Sequence, residues 1–141
     1  MDIPRRELAM LLPLLAAHAA DAQSKTLPAK AYRHEDLPVR DNPNGNKSRA
    51  SLDGETHAGY PVEIHETELA PGNAPHPPHK HEHVEVMLLR EGTLEVTIDG
   101  VSTTVGPGSV VFCASNCFHG WKNAGSTRAA YFVMALGRKR A

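Results

Sequence analysis

The feature that most constrains this chain is the spacing His79-x-His81-x-x-x-Glu85, followed at once by the apolar run Val86-Met87-Leu88-Leu89. Side chains two apart on an extended chain point to one face, and six apart keeps that parity. Two imidazoles and a carboxylate can therefore converge on one point from a single strand and its approach. The apolar run has the length of a buried strand. Gly92 then allows a turn into a second strand, Leu94-Glu95-Val96-Thr97-Ile98. Ligand-type side chains at the mouth end of a buried strand are what a barrel needs to hold a metal.

The rest of the chain agrees with a β architecture. Eleven prolines and eleven glycines in 141 residues predict one turn-rich, all-β domain rather than a helical one. Thr93 to Ile98, Asp99-Gly100 and Val101 to Val105 read as a hairpin. Ser109 to Cys113 and Ala129 to Leu136 supply two more strands. Tyr60 to Leu69 alternates imperfectly, which leaves its inward face open, and Asp53-Gly54 reads as a hairpin dipeptide after Arg49 to Leu52. Short strands at even spacing, with no helical period, predict a closed barrel or jelly-roll sandwich.

The ends of the chain read differently. Arg5-Arg6, the apolar stretch Leu8 to Ala17 and the small residues Ala20-Asp21-Ala22 have the layout of a bacterial secretory signal over residues 1–22. The paired arginines resemble the twin-arginine export type and point to the periplasm. The alternative is an N-terminal helix on the barrel or on a partner, in a cytoplasmic protein. Residues 23–47 are polar, with Pro28, Pro38 and the turn Asn42-Pro43-Asn44-Gly45. They read as an extended arm along the barrel or across a partner. The barrel is expected over 48–136, and 137–141 is a solvated basic tail. A net charge of −1, from 15 basic and 16 acidic residues, gives no pull toward nucleic acid or acidic lipid. No apolar run has the length of a membrane span. Small barrels often associate, so a homodimer is expected.

Gly72, His79-x-His81, Glu85 and Gly92 resemble the first motif of the cupin superfamily. Gly106-Pro107-Gly108-Ser109-Val110-Val111-Phe112, ending in His119-Gly120-Trp121-Lys122-Asn123, resembles the second. Ser109 and Ala114 depart from the pattern, both at positions that shape turns. The resemblance covers roughly Ser48 to Leu136 and implies a single-domain cupin-type barrel of the cupin 2 type. It also implies His119 as the fourth member of a metal site with His79, His81 and Glu85. Three imidazoles and a carboxylate suit one divalent transition metal, Fe, Mn, Ni, Cu or Zn, with open positions for water, oxygen or substrate. Glu85 could instead accept a hydrogen bond from a histidine.

Nine histidines are present, four of them (His76, His79, His81 and His83) within eight positions. His83 reads as a solvent-facing loop histidine, with a fifth imidazole or a proton shuttle as the alternative. His76 reads as a rim residue stiffened by prolines, with a substrate contact as the alternative. Phe118 and Trp121 could wall a substrate pocket or simply pack. Cys113 and Cys117 read as free, largely buried thiols; the alternative is a disulfide that tightens the loop before His119 in an exported protein, which would need a tight turn between them.

Metal-dependent chemistry on a small organic molecule is the expected function, in an oxygenase form or in a non-redox lyase or isomerase form using the same metal. A non-catalytic binding module is the alternative, and a storage-type barrel with an empty mouth is a third. Glu63, His65, Glu66 and His83 are acid–base candidates, and their positions relative to the metal decide between the first two.

Overall fold

A computed structural model describes residues 26–137. The secretory signal or helix expected at 1–22, the first residues of the arm, and Arg138-Lys139-Arg140 lie outside the described residues. Among those described, the strands are β1 (Val39–Asp41), β2 (Lys47–Glu55), β3 (Pro61–Leu69), β4 (Val84–Glu91), β5 (Leu94–Ile98), β6 (Val101–Val105), β7 (Val110–Cys113), β8 (His119–Asn123) and β9 (Ala129–Leu136). A six-stranded sheet runs β1-β2-β3-β9-β4-β7 and a three-stranded sheet runs β6-β5-β8. Every strand pairing is antiparallel. The fold is the all-β jelly-roll sandwich expected from the sequence.

The core lies between the sheets and follows the two-residue period of its strands. Met87 and Leu89 of β4, Tyr131 and Val133 of β9, and Leu94 and Val96 of β5 interdigitate there with Leu69, Val111 and Trp121. Burying a large apolar side chain of this kind stabilises the fold by roughly 1.5–3 kcal/mol.

Two turns fix how the sheets meet. Asp99 and Gly100 both take positive φ, 46° and 85°, the geometry of a two-residue turn that matches strand twist. At Gly92, also with positive φ, a Cβ would stand 2.6 Å from both the Ala129 Cα and the Arg128 carbonyl oxygen. Only glycine lets the β4–β5 turn lie against the start of β9.

Asp53-Gly54 is not a turn. The pair continues β2, opposite Glu63 and Val62 of β3. The hairpin closes at Thr56–Tyr60 instead, where the Thr56 amide donates to the Tyr60 carbonyl (2.9 Å) and Gly59 takes φ 77°. The pairing register across β2 and β3 overrides the local turn preference of the dipeptide.

The face of β3 left open by its sequence is now defined. Leu69 is in the core, so Glu66 and Glu68, on the other parity, face outward. They are nevertheless buried. Arg90 grips one Glu66 oxygen at 2.7 and 3.0 Å, while His34 (2.7 Å) and Arg49 (3.3 Å) reach the other. Arg49 and Arg128 hold Glu68, Arg128 at 2.8 Å. Burial alone would raise the Glu66 pKa, but hydrogen bonds and charge from His34 and Arg90 outweigh it and hold the carboxyl below its ordinary value. The residues before β2 follow this same sheet: Leu27 donates to the Glu55 carbonyl (2.9 Å), and β1 pairs with β2 through a turn closed by Gly45.

Candidate metal centre

Three segments are drawn together at one mouth of the sandwich. The approach to β4 carries His79 and His81, β4 itself carries Glu85, and β8 opens with His119. His79 and His119 exchange backbone hydrogen bonds, both 2.9 Å. That pairing depends on Gly120, where a Cβ would meet Pro78 at 2.9 Å. The β7–β8 loop is tied to the same place, since the Asn116 amide donates to the His81 carbonyl at 2.7 Å.

The rings of His79, His81 and His119 form a near-equilateral triangle with centroids 4.8 to 5.0 Å apart. One ligand atom from each lies within 4.8 Å of the others. Glu85 reaches into the triangle, Oε1 at 3.3 Å from His81 Nε2 and Oε2 at 3.4 Å from His119 Nε2. His79 Nδ1, His81 Nε2 and His119 Nε2 are buried and make no hydrogen bond. Buried polar atoms are rarely left so. The opposite nitrogens explain the orientation. His81 Nδ1–H donates to the His83 carbonyl (2.8 Å) and His119 Nδ1–H to the Cys117 carbonyl (3.1 Å). Each bond fixes the tautomer that turns an Nε2 lone pair inward. Burial lowers the His79 pKa, the neighbouring His76, His119 and His81 lower it further, and Glu85 opposes them. The ring is thereby held neutral, the form that ligates. Three clustered imidazoles, with a ring nitrogen from each within 4.8 Å of the others, beside one carboxylate fit a divalent transition metal.

The other sequence candidates divide around this centre. His83 is not a solvent-facing loop residue. Its ring stacks on His81 (centroids 3.5 Å apart, 7° between planes), with Nε2 3.3 Å from Glu85 Oε1. The chain turns out of extended geometry before β4, so its ring folds back over its neighbour. His76 is on the rim, edge-on to His79 at 4.4 Å. Trp121 is buried behind His119, stacked at 5.7 Å, and meets Tyr131 edge-on. Phe118 is exposed, so Trp121 alone of the expected aromatic wall touches the site. Glu66 faces out of the sandwich and has no part in it.

Glu63 and His65 are on the inner face. Their side chains pair at 2.7 Å. Glu63 pairs in register with Ala135, and Ala135 with Glu85, so Glu63 and Glu85 share one row across β3, β9 and β4. Two strand spacings separate them, about 10 Å, with the small Ala135 side chain between. Cys113 and Cys117 are free thiols, and both lie against His119. Burial pushes the Cys113 thiol up to about 12, with Cys117 and Glu85 adding to it. Sequence reasoning missed β8 as a strand, although His119, Trp121 and Asn123 are buried at alternate positions.

Comparison with known proteins agrees with this geometry. The cupin domain profile matches residues 65–135. No curated protein matched the sequence. The structure is similar to an RmlC-like cupin from Shewanella frigidimarina NCIMB 400, with TM-score 0.64 and 19% identity, covering 79% of this chain and 95% of that one. It is similar to the polyketide cyclase RemF from Streptomyces resistomycificus, with TM-score 0.66 and 21% identity over 81% of this chain and 83% of that one. It is also similar to an oxalate oxidase, with TM-score 0.60 and 23% identity over 82% of this chain and 71% of that one. A profile match across half the chain, on a two-sheet sandwich of this topology, shows that the chain belongs to the cupin superfamily.

Proposed function

We propose that this cupin is a metal-dependent enzyme acting on a small organic molecule, with His79, His81, Glu85 and His119 holding one divalent transition metal. The observation that carries the reading is the cluster of three imidazoles, each with a ring nitrogen within 4.8 Å of the other two, with His81 Nε2 and His119 Nε2 buried, without hydrogen bonds and turned to Glu85. A metal bound there supplies a Lewis acid that polarises a substrate oxygen and, if redox-active, an electron source for oxygenase-type chemistry.

The remaining work falls to side chains of this chain. The His83 and Cys117 carbonyls hold the two imidazoles in the ligating tautomer. The Glu63–His65 pair stands on the same inner face and gives the site a proton acceptor and donor about 10 Å from Glu85. A substrate spanning that gap would touch both. Such a pair favours an enzyme over a non-catalytic binding module. The likeness to a cyclase supports a second form of the same reading, lyase or isomerase chemistry without electron transfer, while the likeness to an oxalate oxidase supports the redox form.

The test is a turnover screen of iron-, manganese- and zinc-loaded protein on oxalate and related small acids, catechols and diketones, with O₂ uptake recorded. The expected result is metal-dependent turnover that falls at least tenfold in Glu63→Gln with metal content unchanged. Ligand binding without turnover under every metal would establish the binding module instead.

We also propose a homodimer. Phe112 and Val110 of β7 are 60% and 62% exposed beside exposed Leu88 and Leu136. These four residues sit at register positions of one parity on adjacent β7, β4 and β9, an uncharged patch that a second copy can cover about a two-fold axis.

A further inference from the structure

We propose that Cys113 and Cys117 form a reversible disulfide that sets the position of the His119 ring. A spacing of three intervening residues is too long to bridge when extended, but here the chain is not extended. The Cys117 amide donates to the Ala114 carbonyl at 3.2 Å, and Asn116 takes φ 61°. This one-turn reversal between β7 and β8 folds the two cysteines onto the same inner face. Their sulfurs and a His119 ring nitrogen all lie within 4.8 Å of one another. Disulfide closure needs α-carbons about 4.4–6.8 Å apart; the turn draws Cys117 back to Ala114, the neighbour of Cys113, and leaves the two sulfurs within 4.8 Å.

The consequence follows from what Cys117 does for His119. Its carbonyl accepts the Nδ1–H at 3.1 Å, and its sulfur lies 3.7 Å from the same nitrogen. Drawing the Cys117 sulfur onto Cys113 pulls both groups away from the ring and loosens the bond that turns Nε2 inward. The second candidate for this cluster, a thiolate metal site using His119 Nδ1, is disfavoured because that nitrogen carries the proton donated to Cys117. The oxidant is a small disulfide. Half-buried Cys117 loses its proton and attacks one sulfur of oxidised glutathione, breaking that S–S bond and releasing one glutathione thiolate. Buried Cys113 then loses its proton and attacks the Cys117 sulfur, expelling the second glutathione thiolate. Two protein thiols are oxidised and one glutathione disulfide is reduced.

The effect on metal affinity rests on the metal reading above, whereas the disulfide and the movement of His119 do not. The test equilibrates the full chain in glutathione buffers of graded ratio and reads three quantities: intact mass after alkylation, His119 ring proton resonances in metal-free protein, and Co(II) affinity. The expected result is reversible loss of two hydrogens, absent in Cys113→Ser and Cys117→Ser, with shifted His119 resonances and Co(II) binding at least tenfold weaker when oxidised. A protein that stays reduced, or stops as a glutathione adduct on Cys117, overturns the proposal. So does a disulfide that leaves His119 resonances unchanged. If the reduced protein takes up no Co(II) while the disulfide still moves His119, the proposal stands and the metal reading fails.

Discussion

His119 shows how little of a site is carried by its own side chain. Its backbone is paired with His79, its Nδ1 proton is held by a loop carbonyl, and its ring is backed by Trp121. The residue itself was legible from the resemblance of its motif. The carbonyl that orients it was not, because a backbone acceptor has no sequence signature and depends on the turn at Ala114–Cys117. The same is true of His83, read as a solvent-facing loop histidine because the irregular approach to β4 hid its stacking on His81. Gly120→Ala is expected to push Pro78 away, open the His79–His119 pairing and weaken metal binding about tenfold or more, measured by Co(II) titration, with a smaller effect on melting temperature. Gly92→Ala acts on stability instead. A Cβ there meets backbone at 2.6 Å on a positive-φ residue, which is expected to cost about 2–4 kcal/mol in denaturant unfolding.

At the level of elements, β3 is the strand with most to explain. Its outward parity carries Glu66 and Glu68 under Arg49, Arg90, Arg128 and His34, drawn from β2, β4, the turn before β9 and the arm. No periodicity in β3 alone could show this, since the partners come from four distant stretches of chain. Asp53-Gly54 failed for a related reason: a local turn preference gave way to long-range pairing. The Asp99-Gly100 hairpin and β9 were readable because their signals are local. Removing the Glu66 charge by Glu66→Gln takes the buried carboxylate from Arg90 and His34, while Arg49 keeps Glu68, and is expected to destabilise the protein by about 1–3 kcal/mol. The folded pKa of Glu66 is lowered. Its contribution is therefore full above the unfolded carboxylate pKa and is lost as pH falls below it toward the folded value. Wild-type stability is expected to drop across that acid range, and the drop to be smaller in Glu66→Gln, read from melting temperature against pH.

At the scale of the whole molecule, the fold class was legible because strand period, turn residues and the two motifs all pointed one way. The placement of Glu63 in the row of Glu85, with His65 in the next inward row beside it, was not, because it depends on β9 lying between β3 and β4. The apolar outer patch around Phe112 is expected to give a dimer by sedimentation, and Phe112→Arg to shift it to monomer with the melting temperature of the monomer core retained. Among the described residues, no helix is long and apolar enough to cross a membrane. The candidate metal centre is the feature on which the functional reading turns. The most direct test is elemental analysis of untagged protein purified anaerobically, beside His119→Ala and His81→Ala. Near one equivalent of a transition metal in the wild type, falling to a small fraction in both variants, is the predicted result. Metal content unchanged in the variants, or no metal bound even after incubation with Fe(II), Mn(II), Ni(II), Cu(II) and Zn(II), would contradict it.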